Sequence, residues 1–276
     1  MSMMTQSIRK VPAQFLYDRL AEQFRPERCT DVFDKIGVQE HNSDLVSKVY
    51  TSTFANPTSI ENILDRGEED VMLFCHHPRP PMPSLREGYG EVPPALLARM
   101  KEQSVNFFSY HIPLDVAGPY APGNTLALAM GANPYDSWYP QNGAMLGALC
   151  QTGFETVEQL ERRFAATVGH RVGRYSYGDG RLNGGKFAIM AGIARSTDAY
   201  KFLEENGINV LVTGVTAAVV DWCEKIHAAA REHRVTLLGG THYSTEKFAL
   251  MAMCGYFRNL GVEAEFIPET PDLREL

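Results

Sequence analysis

The chain has 276 residues, 44% of them hydrophobic, which suits one large domain or two modest ones with a sizeable core. The formal net charge is −7 and no block of Lys or Arg stands out, so a nucleic-acid backbone is not the expected partner. No apolar run approaches 18 residues and the polar segment Met1 to Lys10 lacks the apolar core of a signal peptide, so a cytoplasmic protein without a membrane span is expected.

The first half of the chain alternates between helical and strand spacing of its apolar residues. In chain order it predicts an amphipathic helix over 11–24, a strand over 46–53, a helix over 59–66, a buried strand over 71–74, a helix over 95–102 and a strand over 105–108. Asn124 is a candidate N-cap of a further helix that Gly131 ends. The Pro-rich loop from Pro78 to Pro94 is long enough to be a lid over a site, and a simple surface loop explains it equally well.

The second half continues the alternation, which predicts the α/β class. It predicts helices over 156–164, 197–206, 217–233 (with Val219 among its apolar residues) and 247–260, and strands over 187–191, 210–213, 235–238 and 262–267. Thr156 and Gln159 form a candidate capping box. The glycine-rich segment 178–185 matches neither a dinucleotide fingerprint nor a P-loop, so it predicts a hairpin turn. Turn formers over 133–143 indicate a boundary between an N-terminal half, 1–132, and a C-terminal half, 133–276.

Three segments place metal-ligand residues at the ends of predicted strands. They are, in order, His76-His77, His111 with Asp115, and His242 with Glu246. Strand carboxyl ends are where open α/β sheets bind ligands. Imidazole and carboxylate together are typical ligands of zinc, manganese or iron, whereas the five cysteines have no CxxC spacing that would indicate a thiolate site.

The first two motifs each have an explanation that needs no metal. Adjacent histidines on a strand point to opposite faces, and such a pair is most often found on a partly exposed loop. His111 and Asp115 are four residues apart, but Pro113 between them argues against a helix interior, so both are expected on a loop. Asp115 would then bond the backbone of a turn.

The third motif lies at a strand-to-helix transition. Ser244 or Thr245 is expected to cap the following helix, and the helix dipole favours Glu246 in its first turn without any metal. His242 is harder to explain in this way. Taken together, the three motifs supply enough ligands for two metals, and a bridged pair of metals generates a hydroxide nucleophile near neutral pH. The motifs therefore indicate hydrolysis or deamination.

At these residues the chain resembles the NGG-one-interacting-factor-three family, the dinuclear-metal-centre proteins often named type-two GTP cyclohydrolase I. The His-His-Pro, Ser-x-His-x-x-x-Asp and Gly-x-His-Tyr-x-Thr-Glu motifs occur in the family's order, and segment 33–38 resembles its Trp-Asp-Asn-x-Gly-Leu opening. The resemblance extends from about residue 12 to 268. It implies two intertwined α/β halves of similar topology, with mixed sheets flanked by helices, assembled as a homohexamer with the metals facing the interior.

The resemblance also implies a ligand set for two divalent metal ions, which would be zinc, manganese or iron. The implied ligands are His76, His77, Asp115, His242 and Glu246. His111 and Glu246 are the candidate catalytic residues, His111 either as a catalytic group or as a support for a ligand. The implied function is a metal-dependent hydrolase acting on a nucleotide or another phosphate-containing small molecule. The alternative is a non-enzymatic metal-binding or regulatory protein whose metals stabilise the oligomer.

The chain also departs from the family pattern near the motifs. Val215 stands where the family has an acidic residue after Thr-Gly, which puts the substrate in question. Pro113 stiffens the segment before Asp115. Arg79, Arg86 and Lys247 are candidate binders of an anionic substrate, although a solvated surface position explains each more simply.

Overall fold

The computed structural model describes residues 10–84, 86–218 and 220–276. Residues 1–9, which make up most of the polar N-terminal segment, and Val219 lie outside the described residues. The helices are α1 Ala13–Phe24, α2 Pro57–Leu64, α3 Pro94–Glu102, α4 Ile112–Asp115, α5 Pro122–Ala129, α6 Val157–Val168, α7 Asp198–Glu205, α8 Asp221–Glu232 and α9 His242–Asn259. Within the described ranges, none of them is both long and apolar enough to cross a membrane.

The strands pair into two large sheets and two small ones. Their bounds are β1 Val11–Pro12, β2 Gly37–Glu40, β3 Leu45–Val46, β4 Lys48–Phe54, β5 Val71–His77, β6 Val105–Ser109, β7 Asn133–Asp136, β8 Tyr139–Gln141, β9 Ala144–Leu146, β10 Ala148–Gln151, β11 Gly173–Tyr175, β12 Lys186–Met190, β13 Val210–Thr213, β14 Thr236–Gly239 and β15 Glu263–Phe266. The small sheets pair β1 with β3 and β8 with β9.

The first large sheet has the strand order β15-β4-β5-β6-β2. Strands β15, β4, β5 and β6 run parallel, and β2 is antiparallel to β6. All seven residues of β5 are buried, as its continuous apolar run predicts for a parallel strand that is covered on both faces. The cover is provided by α1 and α9 on one face and by α2 and α3 on the other.

The second large sheet has the order β11-β14-β13-β12-β10-β7. Its centre, β12 to β14, is parallel and its outer strands are antiparallel, so both sheets are mixed. Strand β15, which comes late in the chain, returns to the first sheet beside β4, and the two halves are intertwined in this way. The predicted α/β class, with mixed sheets flanked by helices, is confirmed.

Helix α9 connects the cores of the two sheets. Leu250 and Phe257 are fully buried against the first sheet, where Phe257 contacts the ring of Phe74. Phe248 on the same helix packs against the core of the second sheet. Burying a side chain such as Leu250 contributes about 1.5–3 kcal/mol, so these contacts hold the helix firmly between the sheets.

Helix termini agree with the sequence at one site and differ at another. The Thr156 side chain accepts from the Gln159 backbone N–H and the Gln159 side chain accepts in return, which confirms the capping box. The prediction that Asn124 caps α5 is wrong, because the helix begins at Pro122, whose fixed φ suits the first helical position. Gly131 follows the helix with a φ of +72°, as predicted.

Two predictions in the second half are also wrong. Segment 178–185 is not a hairpin turn, because β11 and β12 on either side of it are separated in the sheet by β14 and β13. Helix α8 begins at Asp221 rather than Ala217. The backbone N–H of Ala217 donates to the carbonyl of Glu275 at 2.9 Å, and this contact with a distant segment holds residue 217 outside the helix.

Candidate metal centre

The first two histidines lie inside strand β5 rather than in a loop after it. His76 and His77 are both buried, with exposures of 0% and 1%. The expectation of a partly exposed loop pair is therefore wrong. Their ring centroids are 4.4 Å apart, so the end of the strand brings two imidazoles to one place although they are neighbours in sequence.

The second motif forms the short helix α4 rather than a loop. The prediction from Pro113 is wrong because the residue occupies the first turn, where its missing N–H has no partner to lose. His111 is at the N-cap position, and its Nε2 lies 3.8 Å from Oδ2 of Asp115. The helix therefore directs both side chains to the same place.

The third motif opens helix α9 directly at His242. The expected cap at Ser244 or Thr245 is wrong, because the side chain of Thr241 accepts from the Ser244 backbone N–H and is the N-cap. His242 and Glu246 are therefore one helical turn apart on the same face. The distance from His242 Nε2 to Glu246 Oε1 is 3.1 Å.

Glu246 lies at the centre of the resulting cluster. Its Oε2 is 2.9 Å from Nε2 of His77, and its Oε1 is 3.1 Å from Nε2 of His242 and 3.7 Å from Nε2 of His76. Asp115 Oδ1 is 3.3 Å from the same His76 nitrogen. The structure thus brings together all five residues that the sequence resemblance implied as ligands, from β5, α4 and α9.

Two buried imidazole nitrogens in the cluster have no hydrogen-bond partner. Nδ1 of His76 donates to the Tyr110 carbonyl at 3.1 Å, and its Nε2, which faces the carboxylates of Asp115 and Glu246, is buried and makes no hydrogen bond. Nδ1 of His77 is buried without a partner as well. An unsatisfied buried polar atom costs about 1–3 kcal/mol, and a metal ion would satisfy an imidazole lone pair.

The ligand atoms also have the mutual spacing that a metal ion requires. Two groups, each with its donor atoms within 4.8 Å of one another, are His76 with His77 and His111, and His77 with His242 and Glu246. A bonded Nδ1 with a free Nε2, as in His76, is the usual arrangement of a histidine ligand. The buried His and Glu groups can therefore hold a metal ion.

The charges in the cluster are suited to cation binding. Burial would raise the pKa of Glu246, but His242, His77 and His76 lower it well below its usual value, so the carboxylate is ionised. Burial lowers the pKa of His77 well below its usual value and keeps the imidazole neutral. Burial also acts to lower the pKa of His76, but the Asp115 and Glu246 carboxylates raise it well above the usual value. A metal ion would have to displace that proton.

Asp31 supports the cluster and had no signal in the sequence. Its Oδ1 accepts from Nδ1 of His111 at 2.9 Å and its Oδ2 from the backbone N–H of Ile112 at 2.8 Å. Burial would raise the pKa of Asp31, but these bonds with His111 and the backbone lower it, so Asp31 is a carboxylate. This partner fixes Nδ1 of His111 as the protonated nitrogen and turns Nε2 toward Asp115.

Two aromatic rings pack against the imidazole of His77. Phe54 stacks on it at a centroid distance of 4.6 Å and Tyr89 at 5.3 Å. Tyr89 belongs to the Pro-rich loop, which pairs Pro81 with Tyr89 in an antiparallel bridge. The loop therefore contributes a wall of the site. No spacing pattern in the sequence singled out Tyr89.

Gly192 after strand β12 approaches the cluster closely. Its φ is +67°, and a Cβ at this position would lie 2.2 Å from Glu246 Oε1. The backbone N–H groups of Gly214 and Val215 donate to the Gly192 carbonyl at 3.0 and 3.1 Å. The Val215 side chain is buried in a small apolar cluster with Val220, so the position where the family has an acidic residue adds no charge to the centre.

The candidate anion-binding residues are differently placed. Arg79 lines the cavity that contains the cluster and forms an ion pair with Glu91 at 3.1 Å. Lys247 donates to the Val168 carbonyl at 2.8 Å, away from the cluster. Arg195, which the sequence motifs did not indicate, lines the same cavity as His77 and Glu246.

Comparisons with known proteins bear on the fold that carries this cluster. The chain superposes on the protein ybgI, of unknown function, with a TM-score of 0.75 and 17% sequence identity. It superposes on reduced HcgD from Methanocaldococcus jannaschii with a TM-score of 0.73 and 18% identity. Each match covers 95% of this chain and 100% of the other chain. TTHA1606 from Thermus thermophilus gives 0.74 and 17% with the same coverage. At these identities the likeness concerns the fold alone. No curated protein matches the chain.

The sequence profile of one family matches residues 14–272, nearly the whole described chain. The fold that the sequence motifs implied is thus supported by both the profile and the superpositions. The chain belongs to the Duf34/NIF3 (NGG1p interacting factor 3) family.

Proposed function

We propose that this protein binds two divalent metal ions and uses them as a hydrolase acting on a nucleotide or another phosphate-containing small molecule. The observation that carries the proposal is the buried cluster around Glu246, in which two imidazole nitrogens lack a hydrogen-bond partner. Its two donor groups share His77, and Glu246 reaches His77 and His242 through different oxygens. A carboxylate in this position is able to bridge two ions.

In the proposal the ions are zinc, manganese or iron, which accept mixed histidine and carboxylate ligands. The ligands are His76, His77, Asp115, His242 and Glu246. Ions held there would supply Lewis-acid polarisation of a phosphoryl oxygen and would lower the pKa of a water molecule. The cluster opens on a cavity of about 760 Å³, which is large enough for a small-molecule substrate.

His111 is the proposed proton acceptor. Its Nδ1–H is held by Asp31, so its free Nε2 is able to take a proton, and the Asp31 carboxylate would stabilise the imidazolium that results. His111 also belongs to one of the two donor groups. A role as an additional ligand is therefore the competing assignment.

The test is a hydrolysis screen of the metal-loaded protein on nucleotides and simple phosphate esters, with His111→Ala and Asp31→Asn as variants. If His111 is a proton acceptor, its loss should reduce the rate about 10²–10⁴-fold while the metal content stays at the wild-type value. A parallel fall in metal content would make His111 a ligand. No hydrolysis of any substrate by the loaded wild type would refute the enzyme.

A structural role for the metals is the second candidate. The ligands come from β5, α4 and α9, and Gly192, which follows β12 of the second sheet, lies against them, so bound ions would join separate parts of the fold. A cytoplasmic homohexamer without membrane or nucleic-acid partners belongs to the same proposal. Dissociation or melting of the assembly on chelation would favour this role, and an unaltered oligomer after chelation would contradict it.

A further inference from the structure

Two cavities meet beside the candidate metal centre. The larger, of about 760 Å³, contains the cluster residues His77 and Glu246, and the smaller has a volume of about 420 Å³. Five residues line both cavities: Gly88, Tyr89, Ile193, Arg195 and His242. The two cavities therefore adjoin at Arg195, with the cluster on one side of it and the smaller cavity on the other.

Arg195 is held at this shared wall by its neighbours in the chain. Gly192, three residues earlier, passes so close to the cluster that a Cβ would lie 2.8 Å from Nε2 of His242. One residue later, the Ser196 backbone N–H donates to the Tyr139 hydroxyl at 2.8 Å. The guanidinium carbon lies 5.0 Å from the centre of the Trp222 ring, so the side chain rests on an aromatic face.

Arg195 differs in its ion pairing from the other arginines around the two cavities. Arg79 pairs with Glu91 at 3.1 Å, and Arg274 pairs with Asp272 at 2.6 Å. In the part of the chain that the structure describes, no carboxylate lies within ion-pair distance of Arg195. A guanidinium stacked on an aromatic ring keeps its planar fork of N–H donors available for a carboxylate or a phosphate.

The smaller cavity is lined by aromatic and acidic side chains away from Arg195. Phe54, Trp222 and Tyr243 give it aromatic faces. Glu269 and Glu275 also line it, and their oxygens accept from backbone N–H groups, so neither acid attracts a second anion, whether it is charged or neutral. An anionic group is therefore favoured at Arg195, with an uncharged planar part beyond it.

We propose that Arg195 is an anion subsite that binds the phosphate of an aryl or heteroaryl phosphate ester, with the ring of the ester in the smaller cavity. The inference rests on the proposed function, because it places the phosphate between Arg195 and the metal ligands. A phosphate has enough oxygens to contact the guanidinium fork and the metal centre together. A carboxylate would use both of its oxygens on the fork.

Calorimetric titration of chelated protein with phenyl phosphate tests the subsite without any metal. Hydrogen bonds to charged groups contribute about 1.5–3 kcal/mol, so Arg195→Gln should weaken binding at least about tenfold. Arg195→Lys, which keeps the charge and loses the fork, should be intermediate. Arg79→Gln is the matched control, since it removes a paired arginine from the same cavity, and it should bind within about twofold of wild type.

Several outcomes would overturn the subsite. Two of them concern the variants: unchanged binding of phenyl phosphate in Arg195→Gln, or an equal loss of binding in Arg79→Gln. Two concern the ligand. Benzoate that binds as tightly as phenyl phosphate would contradict a phosphate subsite, and inorganic phosphate that binds as tightly would leave no role for the smaller cavity. Metal content and phenyl phosphate hydrolysis are measured on the same proteins. Binding through Arg195 with no hydrolysis of phenyl phosphate or of any substrate in the screen would refute only the proposed function. Hydrolysis that is insensitive to Arg195 would refute only the subsite.

Discussion

Replacing Glu246 with Gln should remove most of the bound metal. The carboxylate is 2.9 Å from His77 and 3.1 Å from His242 through separate oxygens, so an amide keeps its shape and loses its charge and one acceptor. Even the loss of a group that only supports a ligand costs about 10–100-fold in metal affinity. Because Glu246 is proposed as a ligand of both ions, we expect at least about 100-fold weaker binding, or about 2.8 kcal/mol.

The assay is elemental mass spectrometry of protein that has been reconstituted with zinc and desalted, followed by competition with a chromophoric chelator. Wild type should retain close to two ions per chain and Glu246→Gln well below one. Glu269→Gln is the control, because Glu269 is another acid near the cavity whose oxygen accepts from the Thr53 and Phe54 backbone N–H groups. Wild-type metal content in Glu246→Gln, or an equal loss in the control, would refute the ligand assignment.

Two further predictions concern packing and pH. Gly192→Ala should abolish metal binding, because its Cβ would lie 2.2 Å from Glu246 Oε1. Gly67→Ala is the control and should retain the metal, since Gly67 has a similar φ of +65° but open space around it. Equal metal content in the two variants would contradict this prediction. Burial raises the pKa of Glu269 from 4.5 to about 7. Between these two pH values the folded chain binds one more proton than the unfolded chain. The free energy of unfolding should therefore rise as the pH falls from about 7 towards 4.5. In urea unfolding of metal-free protein, the Glu269→Gln variant should lack this rise in the free energy of unfolding. The same pH dependence in the variant and the wild type would contradict the prediction.

The sequence predicts the buried strands well because a parallel strand that is covered on both faces needs a continuous apolar run. It places the end of β5 too early, at Phe74. The strand continues through His76 and His77, since polar residues can be buried where a site supplies their partners. Periodicity records only the apolar part of such a strand, and it therefore assigns the ligands to a loop.

The start of α9 shows a second limit. Thr241, Ser244 and Thr245 are all residues that can cap a helix, and local propensity does not choose among them. A distant contact accompanies the choice: the His242 backbone N–H donates to a carboxylate oxygen of Glu275 at 2.7 Å. Asp31 is another case, since it meets His111 across 80 residues of chain and leaves no periodic trace.

The order of the elements along the chain determines when the centre can form during synthesis. The imidazoles of β5 leave the ribosome before the second sheet exists, and their partners on α9 follow only after it is complete. Strand β15 comes later still, so the edge of β4 stays unpaired in the nascent chain until then. An open parallel edge is a site for wrong pairing. Protein synthesis that stops before residue 263 would therefore release a chain with an exposed edge, and we expect such fragments to aggregate.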